Sequence, residues 1–224
     1  MMHTLLIADD HPLFREALRD FIHQHYPATQ IHEAERASAL YQLVDTHDDA
    51  DLLLLDLNMP DTAGFNTLIY LRAQHPALPV VIISAHESPQ LMRRALEHGA
   101  IGFIPKSASQ QTLKAAIDSI LQGHSWAPEA AQQAPAISTQ ERNAANALRS
   151  LTPQQLRVLQ MVCSGLLNKQ IAYELDVSEA TVKTHMTAIL RKLGANNRTQ
   201  AVLIANQLQV QPGEFDIDLD QCLY

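Results

Sequence analysis

The stretch Leu52-Leu53-Leu54-Leu55-Asp56-Leu57-Asn58-Met59-Pro60 decides the fold of this chain. Four consecutive leucines bounded by acidic residues are too short for a helix. They read as a strand buried on both faces, which is the mark of a parallel sheet. The strand carries one carboxylate, Asp56, to its C-terminal end and stops before Pro60. Ligands of open parallel sheets bind just outside the carboxyl ends of the strands, so Asp56 stands where chemistry is expected.

Outward from this stretch the pattern repeats. Apolar, strand-like runs at 4–8, 29–33, 79–83 and 101–104 join the one at 52–55, and helical periodicity occupies 36–47, 64–74, 88–98 and 109–122. After the first run, Pro12 suits an opening helical turn, and Leu13, Phe14, Ala17, Leu18, Phe21 and Ile22 then share a face. Strand and helix alternate five times, which predicts an α/β fold, a doubly wound parallel sheet of five strands with helices on both sides. The first strand ends in Asp9-Asp10, the fourth in Ser84 and the fifth in Lys106. Carboxylates of Asp9, Asp10 and Asp56 at neighbouring strand ends repel one another, and a hard cation bound by oxygen, such as Mg²⁺, relieves that repulsion.

An acidic pair, an aspartate, a hydroxyl and a lysine, in this order on a five-fold strand–helix repeat, resemble the receiver domain of two-component response regulators over residues 3–122. The resemblance implies a flavodoxin-like fold in which Asp56 accepts a phosphoryl group from a sensor histidine kinase. It also implies that Asp9, Asp10, Asp56 and the backbone carbonyl of Asn58 hold Mg²⁺, and that Lys106 and Ser84 bind phosphoryl oxygens. Phe103 matches the family's switch aromatic, which turns inward when the hydroxyl swings toward the phosphoryl group. The chain departs from many receivers in having Pro105 before Lys106 and Ser107 after it. The many histidines of this region, His11, His86 and His98 among them, lack ligand-like spacing and most read as solvated surface, with His86 beside the path of a hydrolytic water.

The resemblance to a receiver sets a first domain at 1–123. Residues 124–149, with Pro128, Pro135 and a run of Ala and Gln, read as a linker with helical turns near 139–149. A second domain is expected at 150–208. Thr152 and Gln155 form a capping box around Pro153, and Val158, Leu159, Met161 and Val162 follow as an apolar face. A helix from Asn168, a tight turn at Asp176-Val177-Ser178 and a helix from Glu179 to Leu193 ending at Gly194 make a helix-turn-helix within an all-α, four-helix unit. Residues Leu151-Thr152-Pro153, Asn168-Lys169, Val177-Ser178, Thr181-Val182-Lys183, Lys192-Leu193 and Arg198 resemble the LuxR-type DNA-binding domain, and the whole chain resembles a NarL/FixJ-family response regulator. That implies promoter DNA as a partner, contacted by Lys169, Thr181, Lys183, Thr184, Thr187, Arg191, Lys192 and Arg198, with RNA polymerase a further partner. It also implies a homodimer on phosphorylation and an unphosphorylated receiver that packs on the second domain and hinders its recognition helix.

Charge agrees with this division. The formal net charge is −8, yet residues 150–208 carry 6 Lys and Arg against 3 Asp and Glu, and the acidic tail 209–224 carries 4 acidic residues and no basic ones. No apolar run approaches the ~18 residues of a membrane span, so no membrane partner is expected. Two cysteines, Cys163 and Cys222, without metal-ligand spacing, and a start that leads straight into a strand, fit a cytoplasmic setting. An aspartyl phosphohydrolase needs an acid/base aspartate two residues after its nucleophile, where this chain has Asn58. The chain is therefore expected to be no enzyme, only a self-phosphorylating and self-dephosphorylating phospho-acceptor. The alternative is a protein-interaction response regulator whose helix-turn-helix does not bind DNA.

Overall fold

A computed structural model describes residues 3–60 and 64–208; the acidic tail 209–224, Cys222 included, lies outside the described residues. The chain runs β1 (Thr4–Ala8), α1 (Pro12–His25), β2 (Gln30–Ala34), α2 (Ala37–Thr46), β3 (Leu52–Asp56), α3 (Asn66–Gln74), β4 (Val80–Ser84), α4 (Pro89–Glu97), β5 (Gly102–Pro105) and α5 (Gln110–Leu121). The five strands are all parallel, in the order β2-β1-β3-β4-β5. This is the doubly wound sheet expected from the leucine run, and β3 lies at its centre, buried along its length.

The pleat sorts the side chains between two layers. Leu52 and Leu54, with Leu5, Ile7, Val81, Ile83 and Ile104, face α1 and α5, where Leu18, Phe21, Ile22, Ala116 and Ile117 close the layer. Leu53 and Leu55, with Leu6, Val80, Ile82 and Phe103, face α2, α3 and α4. Alternation on a strand apolar on both sides is what a sheet covered on both faces requires.

Beyond α5 the chain does not leave the receiver as an open tether. Trp126 donates its amide to Ile101 O at 3.1 Å and accepts from the Phe103 amide at 3.0 Å, so this segment lies along β5 and covers its edge. Gly102 permits the approach, because a Cβ there would meet Trp126 O at 2.8 Å. Two helices follow in the stretch read as linker, α6 (Ala130–Gln133) beside α4 and α7 (Thr139–Arg149) on α3. Ser138 caps α7 by accepting from the Glu141 amide at 3.0 Å, and Ala144, Ala145 and Leu148 form its buried stripe.

The second domain comprises α8 (Pro153–Cys163), α9 (Asn168–Glu174), α10 (Glu179–Leu193) and α11 (Arg198–Asn206). Thr152 and Gln155 form the expected capping box, Ser178 caps α10, and Gly194, at φ +65°, ends it in the left-handed conformation. The apolar interior of this domain is continuous, through α7, with the α2–α3–α4 layer of the sheet. α3 is consequently buried from Asn66 to Leu71, caught between the sheet and α7.

Candidate functional site: an acidic pocket at the sheet edge and an exposed recognition helix

The carboxyl ends of β1, β3, β4 and β5 bring Asp9, Asp10, Asp56, Ser84 and Lys106 to one edge of the sheet. Asp56 is 2% exposed. Its Oδ1 accepts the Asn58 amide at 3.0 Å, a local turn bond, and its Oδ2 receives Lys106 Nζ at 2.7 Å. Lys106 Nζ also reaches Asp9 Oδ2 at 2.6 Å and lies 4.7 Å from the Phe14 ring centre. The Lys106 amide donates to Ser84 O at 2.7 Å, fixing the lysine to the end of β4. Asp9 is pinned in turn, its Oδ1 accepting the His11 amide at 2.8 Å and its carbonyl accepting Arg15 Nη1 at 2.7 Å.

Three carboxylates share the pocket with one ammonium, which lies against two of them, Asp9 and Asp56. Burial drives the Asp56 carboxyl upward, against the pull of Lys106. For Lys106 the balance is reversed. Burial lowers it, but two carboxylates around one ammonium raise it further, so the lysine stays charged. Ligand atoms of Asp9, Asp10, His11 and Asp56 lie within 4.8 Å of one another, close enough to share one ion. Carboxylate oxygens dominate this donor set, which fits a hard divalent cation. Asn58 engages Asp56 through its backbone amide, which keeps the turn after β3 against the pocket.

The histidines divide sharply. His11, 63% exposed, approaches Asp10 Oδ1 at 2.8 Å and Asp9 Oδ1 at 3.2 Å, so it belongs to the pocket and not to inert surface. His86 donates its amide to Ser84 Oγ at 3.1 Å, a bond that leaves the hydroxyl proton for another partner. Burial keeps the His86 imidazole below its ordinary range, although the Asp56 charge acts the other way. His98, expected on solvated surface, is instead buried, at 1% side-chain exposure. Phe103 is fully buried, in the apolar layer that α4 covers.

His98 lies in a junction between the domains. Its Nε2 stands 2.7 Å from Glu141 Oε1 on α7, and Arg94 Nε donates to the same oxygen at 2.8 Å. The Arg94 guanidinium also sits 4.9 Å from the Phe65 ring centre and donates to Gln207 O at 3.3 Å. Phe65 itself donates its amide to Leu208 O at 3.0 Å, and Arg149 reaches His98 O at 3.3 Å. Burial pushes the Glu141 carboxyl up, but the bonds from His98 and Arg94 outweigh it and hold it below the usual carboxylate range. Arg94 was readable only as one charge on an amphipathic helix, since its partners lie 47 and 113 positions away in the chain.

On the second domain, Lys183, Thr184, Thr187 and Arg191 are exposed along α10, while Val182, Met186, Ile189 and Leu193 face inward. Lys169 is exposed on α9 and Thr181 is half-buried at the start of α10. Two expected DNA contacts are already engaged within the domain. Lys192 Nζ donates to Ser150 O at 2.6 Å and Gln155 Oε1 at 2.7 Å, and Arg198 donates to Leu166 O and Asn168 Oδ1. The receiver packs on α7, meets α8 at Tyr41–Gln160 and the chain just past α11 at Gln207 and Leu208, and the four exposed α10 side chains are not covered by it. The expected hindrance of the recognition helix by direct cover is therefore absent among the described residues.

Comparison with known proteins accords with this two-part architecture. Residues 5–118 match the response regulator receiver domain, and residues 149–205 match the bacterial regulatory proteins of the luxR family. The chain is 44% identical over 213 residues to the glycerol metabolism activator of Pseudomonas putida, covering 92% of this chain and 96% of that protein. It is 31% identical over 209 residues, with the same coverage, to the nitrate/nitrite response regulator protein NarL of Escherichia coli K12. Among solved structures, one of two RcsB dimers bound to two parallel DNAs shares the fold, with TM-score 0.56 and 22% identity over 93% of this chain and all of that one. With a receiver match over half its length and relatives that align from end to end, the chain belongs to the NarL/FixJ family of two-component response regulators.

Proposed function

We propose that Asp56 accepts a phosphoryl group from the phosphohistidine of a sensor histidine kinase, and that the second domain then regulates transcription by binding promoter DNA as a dimer. The observation that carries this reading is the buried Asp56 carboxylate held at both oxygens, by the Asn58 amide and by Lys106, beside Asp9 and Asp10. A carboxylate oxygen of Asp56 attacks phosphorus, the P–O bond forms as the P–N bond breaks, and the bonding pair leaves on the kinase imidazole. Phosphoryl transfer is chiefly positioning and charge stabilisation. Lys106 shifts from carboxylate to phosphoryl oxygen, and Ser84 donates its free proton to a second oxygen. Asp9, Asp10 and Asp56 would hold Mg²⁺, which when bound supplies charge neutralisation for the phosphoryl oxygens. The chain turns over no external substrate and acts in the cytoplasm.

On DNA, α10 enters the major groove. Lys183, Thr184 and Thr187 face base edges, Thr181, Arg191 and Lys169 face the backbone, and Lys192 and Arg198 act by positioning the elements that carry them. Control acts through the interdomain junction. Movement of Ser84 and α4 on phosphorylation strains the Arg94–Glu141–His98 contact, freeing the second domain to pair with another copy, rather than uncovering α10. Acetyl phosphate with Mg²⁺ should label the parent chain and leave Asp56→Asn unlabelled. Lys183→Ala should lose duplex binding while labelling normally. Undiminished incorporation into Asp56→Asn would overturn the assignment.

A further inference from the structure

The exposed face of α10 carries two threonines whose hydroxyl protons are already spent. Thr184 Oγ1 donates to Ala180 O at 3.0 Å, and Thr187 Oγ1 donates to Lys183 O at 3.0 Å, each one turn back along the helix. Both side chains are exposed, and they flank the helical face that also carries Lys183. With the hydroxyl folded onto its own helix, the γ-methyl is the group left at the tip. Two methyls one turn apart beside one ammonium make a reading surface apolar at two positions and cationic at the third.

The major groove offers a matching pattern. Thymine alone among the bases presents a C5-methyl there, and guanine presents the O6 and N7 acceptors that suit a lysine. We propose that Thr184 and Thr187 read thymine through methyl–methyl contact, with Lys183 on a neighbouring guanine, so that thymine is specified by apolar burial and not by threonine hydroxyl donation. This rests on the reading of the second domain as a DNA-binding unit. The competing chemistry is acceptance by the threonine oxygens from adenine N6 or cytosine N4, which the back-bonded hydroxyl still allows. Each buried methyl contact corresponds to about a fourfold change in affinity, and two contacts to roughly fifteenfold.

The test uses the full-length chain with acetyl phosphate and Mg²⁺, and a random duplex library amplified with dTTP or with dUTP, which differs only in lacking the methyl. Selection from the dTTP library should fix thymine at two positions of each half-site. The selected duplex remade with dUTP should bind roughly fifteenfold more weakly. Thr184→Val and Thr187→Val, which keep a methyl and lose the hydroxyl, should still favour the thymine duplex over the uracil duplex by roughly the parent's factor. Thr184→Ser and Thr187→Ser, which keep the hydroxyl, should each lose about fourfold and respond less to uracil. Equal binding of the two duplexes by the parent, or retention by the serine variants with loss by the valine variants, would overturn the inference while leaving DNA binding intact. Failure to select any duplex would overturn the DNA-binding reading and this inference with it.

Discussion

Replacing Glu141 by glutamine should loosen the hold of the receiver on α7. One oxygen of Glu141 accepts from His98 Nε2 at 2.7 Å and from Arg94 Nε at 2.8 Å, both from the receiver, and its side chain is 13% exposed. Glutamine retains an oxygen of similar reach but removes the charge. A hydrogen bond to a charged partner is worth about 1 kcal/mol more than a neutral one, so two such bonds weaken by ~2 kcal/mol. That is about a 30-fold rise in the population of the open arrangement at ~1.4 kcal/mol per tenfold. Amide hydrogen exchange on α7 reads the rare open form directly, and its rates should rise by the same factor. Exchange of the β3 and β4 amides should not change, because the fold of each domain is untouched. Unaltered α7 exchange, or an equal acceleration in the sheet, would refute the reasoning. The pH dependence has a definite sign. A carboxyl held below its ordinary range in the closed form stabilises that form above the ordinary range, and the contribution disappears as pH falls through the depressed value. In the parent, α7 exchange referenced to the intrinsic rate should therefore accelerate on acidification, and Glu141→Gln should show no such dependence.

Asp10→Asn should lower labelling by acetyl phosphate and raise the Mg²⁺ concentration needed for half-maximal labelling, and an unchanged Mg²⁺ requirement would remove Asp10 from the cation site. His86→Ala should change the lifetime of the phosphoaspartate, since the His86 amide binds Ser84 Oγ and its ring lies within the field of Asp56 and Lys106; equal decay rates for variant and parent would reject that. Burial lifts the Cys163 thiol to about 11, so in a Cys222→Ser background alkylation at pH 8 should run roughly a hundredfold more slowly than in denaturant. Fast labelling of the native chain would place Cys163 outside the core.

Much of the receiver could be read from its residues, because each strand is short, apolar and ended by a polar group with a chemical purpose. The four-leucine run placed β3, and Asp56, Ser84 and Lys106 marked three strand ends without any knowledge of their neighbours. Caps were equally legible, since Thr152, Ser178 and Gly194 act on groups a few residues away. What escaped was whatever depends on distant partners. His98 carries no local sign of burial; it is enclosed because Phe65 and α7 close over it. The segment 124–149 looked like a tether because α7 has a narrow alanine stripe, which suffices only against a surface as apolar as α3. Lys192 and Arg198 read as phosphate ligands, and the carbonyls of their own domain that both grip could not be foreseen, because those partners lie 42 and 32 positions away.

The burial of α3 from Asn66 to Leu71 bears on how freely this chain can be recombined. Phe65, Leu68, Tyr70 and Leu71 complete a core that begins in the sheet and ends at Leu208, so part of the receiver's interior is supplied by the other half of the chain. A receiver cut at 123, or fused to a foreign output unit, would carry that apolar strip into water. Such chimeras should self-associate or precipitate unless the graft brings along α7 and a matching surface. Exchange of parts with this chain is then limited less by the joint in the sequence than by the apolar seam between its two halves.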